Sequence, residues 1–150
     1  MSLRPFALEA LSVLTKYYEI YIFTSATKEY ANRVMDILDP EKRIFNGALH
    51  RSHCCKTKKG FYIKDLRIVN NKNLNEMLIV DNLSHSFAFQ IDNGIPILPW
   101  YDDPNDCELK YLTKYLVKIS KEKDIREANK MHLKLGELVK KTMQEIINFS

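Results

Sequence analysis

Three short stretches put groups that could handle a phosphate at or beside apolar runs. In MLIVDN, Met77, Leu78, Ile79 and Val80 stop abruptly at Asp81 and Asn82. In IYIFTS, a run from Ile20 to Phe23 stops at Thr24 and Ser25, and in YIKDL, Lys64 follows Tyr62 and Ile63. A hydroxyl can donate to a phosphoryl oxygen, and an ammonium offsets charge on a transferring group. Carboxylate and amide oxygens suit Mg²⁺, a hard cation that keeps waters and a phosphate oxygen in its shell. Taken singly, each group has a plainer explanation. Thr24 can cap a following helix, Lys64 can be one of many surface lysines, and Asp81-Asn82 can be an ordinary turn after a strand. The order and spacing of the whole set point to phosphate chemistry.

The elements that must position these groups follow from apolar periodicity. Residues 4–17 carry Phe6, Leu8, Leu11, Leu14 and Tyr17 at helical spacing, with Pro5 in the first turn. Residues 20–23 predict a parallel strand covered on both faces. A helix then starts at Thr27 as N-cap, carries Tyr30, Val34, Ile37 and Leu38 inward, and stops at Pro40. Residues 43–69 predict antiparallel strands around a turn at Gly60, a β-hairpin insertion. Residues 77–80 form the next strand, and a short apolar segment lies between Gly94 and Pro99. A helix begins near Asn105 or Asp106 with Leu109, Leu112, Leu116 and Ile119 inward. The last helix, 121–147, has Ile125, Ala128, Leu135, Leu138 and Ile146 on its apolar stripe. Strands alternating with helices predict an α/β open parallel sheet with flanking helices, in a single domain over 1–150. Such sheets place their chemistry beyond the carboxyl ends of the strands.

Composition narrows the function classes. The chain has 150 residues, 45% of them apolar and 11% aromatic, enough for a core. No run approaches a membrane span, and MSLRPFALEA carries no secretory pattern, so no leader is expected. A net charge of +4 suits an acidic or phosphorylated partner and does not demand nucleic acid. KTKK at 56–59 is the densest basic cluster and is expected at a solvated hairpin tip. Three cysteines, Cys54, Cys55 and Cys107, make a poor disulfide framework and fit a reduced intracellular protein. His50, His53 and Cys54 match no standard zinc spacing.

The blocks IYIFTSATKEYANRVMDILDP, FYIKDL, MLIVDNLSHSFAFQIDNGIPILPWYDD and DCELKYLTKYL resemble the small C-terminal-domain phosphatases, the nuclear LIM-interactor-interacting-factor group of the haloacid dehalogenase superfamily. The resemblance runs from about Arg4 to Ile119. It implies a protein serine/threonine phosphatase that acts on phosphopeptides such as the repeat tail of RNA polymerase II. By resemblance, Thr24 is the phosphate-binding hydroxyl, Lys64 the third-motif lysine, and Asp81 and Asn82 the fourth motif. Asn82 would bind Mg²⁺ directly while Asp81 supports metal and lysine. Ser25, Tyr30 and Arg51 lie toward the peptide substrate. The partner is thus a phosphorylated protein or peptide, with no direct nucleic acid and no membrane, in the nucleus or cytoplasm.

The family's chemistry also uses D-x-D-x-[TV] on a central first strand: one Asp is the nucleophile, the other the general acid/base. These 150 residues contain no such sequence. Without that carboxylate there is no covalent intermediate, and Asn82 alone is a poor Mg²⁺ site. The expectation is therefore an intact protein that is active and a 150-residue polypeptide that is not. The alternative is a non-catalytic peptide-binding member of the fold, like the mitochondrial import receptor that resembles these phosphatases. Survival of Thr24, Lys64, Asp81 and Asn82 favours the phosphatase. An unrelated α/β domain is the third reading. A missing mid-sheet strand would leave its neighbours' backbone unpaired, so the polypeptide should rearrange or be completed by a second copy as a homo-oligomer. Light scattering coupled to gel filtration is expected to show either a rearranged chain or a self-associated one; a well-folded monomer under native conditions would count against both.

Overall fold

A computed structural model describes residues 1–70 and 72–133, which group into two compact units. The first comprises Met1–Arg51 and Leu98–Lys121; the second takes Ser52–Ile97 and the segment from Glu122 onward. Its elements in chain order are α1 (Ala7–Leu14), β1 (Ile20–Phe23), α2 (Lys28–Leu38), β2 (Phe45–Leu49), β3 (Cys55–Lys56), β4 (Tyr62–Ile63), β5 (Ile79–Asp81), β6 (Gly94–Pro96), α3 (Glu108–Ile119) and α4 (Ile125–Leu133).

In the first unit β1, α2 and β2 make a parallel βαβ crossover. Tyr21 pairs with Gly47, Ile22 with Ala48 and Phe23 with Leu49, after an irregularity between Ile20 and Tyr21. Thr27 caps α2 as its sequence predicts, its hydroxyl accepting from the Tyr30 amide. At the other end Asp39 gathers the amides of Arg43, Ile44 and Phe45 at 2.7–3.0 Å. Burial alone would raise this carboxyl, and the backbone donors outweigh it and pull it below its ordinary value. Those bonds end the helix and start β2. Helix α1 packs on α3, where the Tyr18 hydroxyl donates to the Leu116 carbonyl at 2.5 Å. Burial pushes that phenol up to about 12. Arg4 closes the unit by forking onto both Asp106 oxygens at 2.8 Å and donating to the Leu98 carbonyl at 2.6 Å.

In the second unit β3 and β4 form a two-pair antiparallel hairpin, and β5 and β6 pair in parallel from Ile79↔Gly94 to Asp81↔Pro96. Ile63, Leu66, Ile79, Phe87 and Ala88 make the core, with Leu74, Met77 and Ile91 against it. Buried amides hold the loops around it. Asn93 donates to the carbonyls of Leu74 and Met77, and Asn129 of α4 donates to that of Asp92.

Several expectations change. Residues 45–49 lie parallel to β1 rather than in the hairpin, which is confined to 55–63 around Gly60. The eleven-residue helix between β1 and β2 is the crossover that a parallel pair requires. Helix α1 is shorter than 4–17: Phe6 precedes it in a left-handed conformation at φ 65°, and Leu8 and Tyr17 are exposed. On α2, Tyr30 and Ile37 are exposed and Ala31 is the buried position. Nor are the parallel strands covered on both faces, since Tyr21 and Val80 are exposed. Helix α3 starts at Glu108, two or three residues later than expected, and buries Leu116 and Ile119. The last helix starts at Ile125 and buries Ile125 and Ala128; Leu135, Leu138 and Ile146 lie outside the described residues.

Gly94 is required by close approach. A Cβ there would lie 2.1 Å from a ring carbon of Phe87, a fully buried side chain. Gly94→Ala is expected to cost about 3 kcal/mol or more in chemical denaturation, partly recovered by Phe87→Leu in the same background. An unchanged denaturation midpoint would show that the ring has room to move.

Candidate functional site

The phosphate-type residues gather in two groups, one in each unit. In the first, the β1–β2 ladder runs one residue past the strand, with the Thr24 amide donating to the Leu49 carbonyl at 3.0 Å. The Thr24 hydroxyl then accepts from the Ala26 amide at 3.0 Å, which turns the chain toward the start of α2. Arg51 fastens the turn from the end of β2. Its amide donates to the Ala26 carbonyl and its Nε to the Ser25 carbonyl, both at 2.8 Å. Thr24, Ser25 and Arg51 thus share one loop cluster beyond the carboxyl ends of two parallel strands, where an open α/β sheet puts its chemistry. Tyr30 stands in the first turn of α2 with its ring exposed.

In the second unit Lys64 immediately follows β4, and Asp81 is the last residue of β5. Lys64 Nζ donates to Asp81 Oδ2 at 2.5 Å, and the two side chains are only 11% and 7% exposed. Asp81 Oδ1 accepts from the Leu83 amide at 2.8 Å. The Lys64 amide donates to the carbonyl of buried Ser86, so the same loop holds both partners. Asn82 follows Asp81 and is exposed.

His85 is a neighbour that the residue types alone did not single out. Burial pushes its imidazole below the ordinary value; Asp81 pulls it back up and Lys64 pushes it further down. Its ring meets Phe61 edge-on with centroids 4.9 Å apart. The available signal was an ionisable side chain four residues beyond a strand-end carboxylate.

The donor set does not by itself fit Mg²⁺. Among the described residues no group of three or more His, Cys, Asp or Glu side chains is placed to hold a metal ion. Each Asp81 oxygen already accepts one hydrogen bond, and Asp81 with the Asn82 amide oxygen makes up the side-chain donor set at this strand end. That is too few oxygens to replace part of a hydrated ion's shell.

Removing one partner of so enclosed an ion pair strands the other. Lys64→Ala is expected to destabilise the protein by about 3 kcal/mol, whereas Lys64→Met/Asp81→Leu should recover most of that loss in urea denaturation. Equal losses in both variants would show that the pair is not what holds these loops.

Residues 1–126 match the NLI interacting factor-like phosphatase family. CTD small phosphatase-like protein 3 of Caenorhabditis elegans is 44% identical over 126 residues, covering 83% of this chain and 43% of the relative. CTD nuclear envelope phosphatase 1B of Danio rerio is 35% identical over 123 residues, covering 82% and 49%. The chain thus spans less than half the length of these relatives. Among solved structures, the fission yeast RNA polymerase II CTD phosphatase Fcp1 bound to beryllium fluoride is similar in fold, with a TM-score of 0.59 at 21% identity over 95% of this chain and 37% of that one. Among the described residues no helix is long and apolar enough to cross a membrane. With this α/β, haloacid-dehalogenase-like architecture and its phosphate-type residues at the strand ends, the chain belongs to the NLI interacting factor-like phosphatase family.

Proposed function

We propose that these residues are the phosphate- and peptide-binding part of a Mg²⁺-dependent protein serine/threonine phosphatase domain, which acts on phosphopeptides such as the RNA polymerase II C-terminal repeat. The observation that carries the reading is the Lys64–Asp81 pair, an ammonium held at a strand end by a carboxylate with almost no access to water. A lysine fixed in this way is preorganised to meet phosphoryl charge without reorganising as that charge develops. In this reading the Thr24 hydroxyl donates to a phosphoryl oxygen, and Asp81 keeps Lys64 aimed. Ser25, Tyr30 and Arg51 meet the peptide, and the two units serve one phosphatase-like domain over 1–150. The mild positive charge suits a phosphorylated partner. Similarity to a nuclear envelope phosphatase is in keeping with an intracellular setting, nuclear or cytoplasmic.

In the intact protein the phosphoryl group passes to an aspartate as the P–O bond to serine or threonine breaks. A second carboxyl group protonates the departing oxygen, and water then cleaves the aspartyl-phosphate. No D-x-D-x-[TV] sequence is present in the 150 residues, so the polypeptide alone binds phosphopeptide without hydrolysing it. The same observation favours a second reading, a non-catalytic peptide-binding member of the family. The intact protein separates the two: hydrolysis by it excludes a purely binding role. Magnesium belongs to the intact protein in this reading, because Asp81 and Asn82 are too few donors to hold it.

The 150-residue protein is expected to show no Mg²⁺-dependent hydrolysis of an aryl phosphate. It should bind a phosphoserine peptide, by fluorescence anisotropy, more tightly than the unphosphorylated peptide. Lys64→Met/Asp81→Leu should abolish the preference while circular dichroism shows an unchanged fold. Turnover that this double substitution abolishes would refute the claim of inertness. A phosphopeptide preference that survives it would remove the pair from the site.

A further inference from the structure

Residues 50–64 contain Arg51, Lys56, Lys58, Lys59 and Lys64 and no aspartate or glutamate. Five cations in fifteen residues exceed the net charge of +4 of the whole chain, so the remainder is slightly acidic. Four of the five lie on, or directly after, the β3–β4 hairpin. Three hydrogen bonds define the turn that presents them. The Thr57 amide donates to the Phe61 carbonyl at 2.8 Å, and the Phe61 amide donates back to the Thr57 hydroxyl at 3.1 Å. The Gly60 amide closes onto the Thr57 carbonyl at 2.9 Å, and Gly60 takes φ +89°, which favours glycine. Thr57 is buried beneath the turn while Lys58 and Lys59 are exposed at its tip. Lys56 lies over the Tyr62 ring with Nζ 5.6 Å from its centroid.

The hairpin is also fastened to the site. Phe61 meets His85 edge-on, and His85 lies within electrostatic reach of both Asp81 and Lys64. The chain runs from the tip through β4 directly into Lys64. Lys59 and Lys64 are five positions apart, at most about 17 Å at the rise of an extended strand. An extended peptide covers that distance in four to five residues.

We propose that the tip at Lys58 and Lys59 is a second anionic subsite, which takes a phosphorylated or acidic side chain about four residues from the phosphoserine or phosphothreonine held at Lys64. This deepens the reading above and rests on it: the substrate class becomes multiply phosphorylated or acid-flanked peptides. Charge complementarity favours a peptide over an anionic membrane. The tip is lysine, lysine and glycine, with no apolar side chain to enter a bilayer.

The test measures fluorescence anisotropy of three labelled peptides with the 150-residue protein: one with a single phosphoserine, and two with a second phosphoserine four residues to either side. At least one doubly phosphorylated peptide should bind about 3- to 10-fold tighter than the single one at low salt, and the ratio should shrink at 0.5 M salt. Lys58→Glu/Lys59→Glu should bring the ratio to one or below. If the singly phosphorylated peptide binds through Lys64 but both ratios are one, the subsite is refuted and the phosphatase reading stands. If no phosphopeptide binds, that reading fails and the subsite falls with it. Sedimentation with phosphatidylserine vesicles, lost in Lys58→Glu/Lys59→Glu and accompanied by ratios of one, would assign the tip to a membrane surface and overturn the proposal.

Discussion

A carboxylate withdrawn from water must be given a cation or several donors, or it will not stay charged. The Lys64–Asp81 pair meets that constraint at the end of β5, and the neighbouring chain is arranged around it. Asp81 is fixed on one side by the parallel pairing of β5 with β6 and on the other by the Leu83 amide. Lys64 is fixed by fully buried Ile63 before it and by the carbonyl of Ser86. The Phe87 ring fills the space that Gly94 leaves open, so a residue without a side chain lets β6 approach the loop that carries Phe87.

Elsewhere buried polar groups are satisfied locally, in the same way. Asp39 supplies acceptors to three successive amides where a helix must give way to a strand. Gln90 accepts from the Leu66 amide and donates to Asp65, whose carboxyl is held at about 2, chiefly by hydrogen bonds from Arg67. Asn93 closes two carbonyls with one amide. Such groups define loop conformations because misplacing any of them leaves a buried donor or acceptor without a partner. With little regular structure in the second unit, these bonds specify the path between its short strands.

The two loop groups have different physical characters. Thr24, Ser25 and Arg51 are tied together through backbone carbonyls and amides, which sets the shape of a turn. Lys64 and Asp81 are tied through charge, which sets a potential. A phosphoryl ligand needs both, directional donors and an opposing charge. In the proposed reading one group supplies donors and the other charge, and the β3–β4 hairpin carries further lysines next to Lys64 in the chain.

The sequence by itself determined the element types, the α/β class, the α2 cap at Thr27, the turn at Gly60 and the identity of the strand-end residues. These depend on local chemistry: periodicity, capping hydroxyls and glycine's backbone freedom are legible over a few residues. It did not determine which partner each strand takes. Phe45–Leu49 reads equally well as a hairpin arm or a parallel strand, because an apolar run carries no label for direction. Nor did it set which apolar positions stay exposed, as Tyr21, Tyr30 and Val80 do, since burial depends on what packs opposite. The family resemblance already set Asp81 beside Lys64, seventeen residues away; the direct ion pair, its burial and His85 beside it were decided by tertiary structure. Ion pairing between distant residues is a property of the folded loops, and no spacing rule in the chain encodes it.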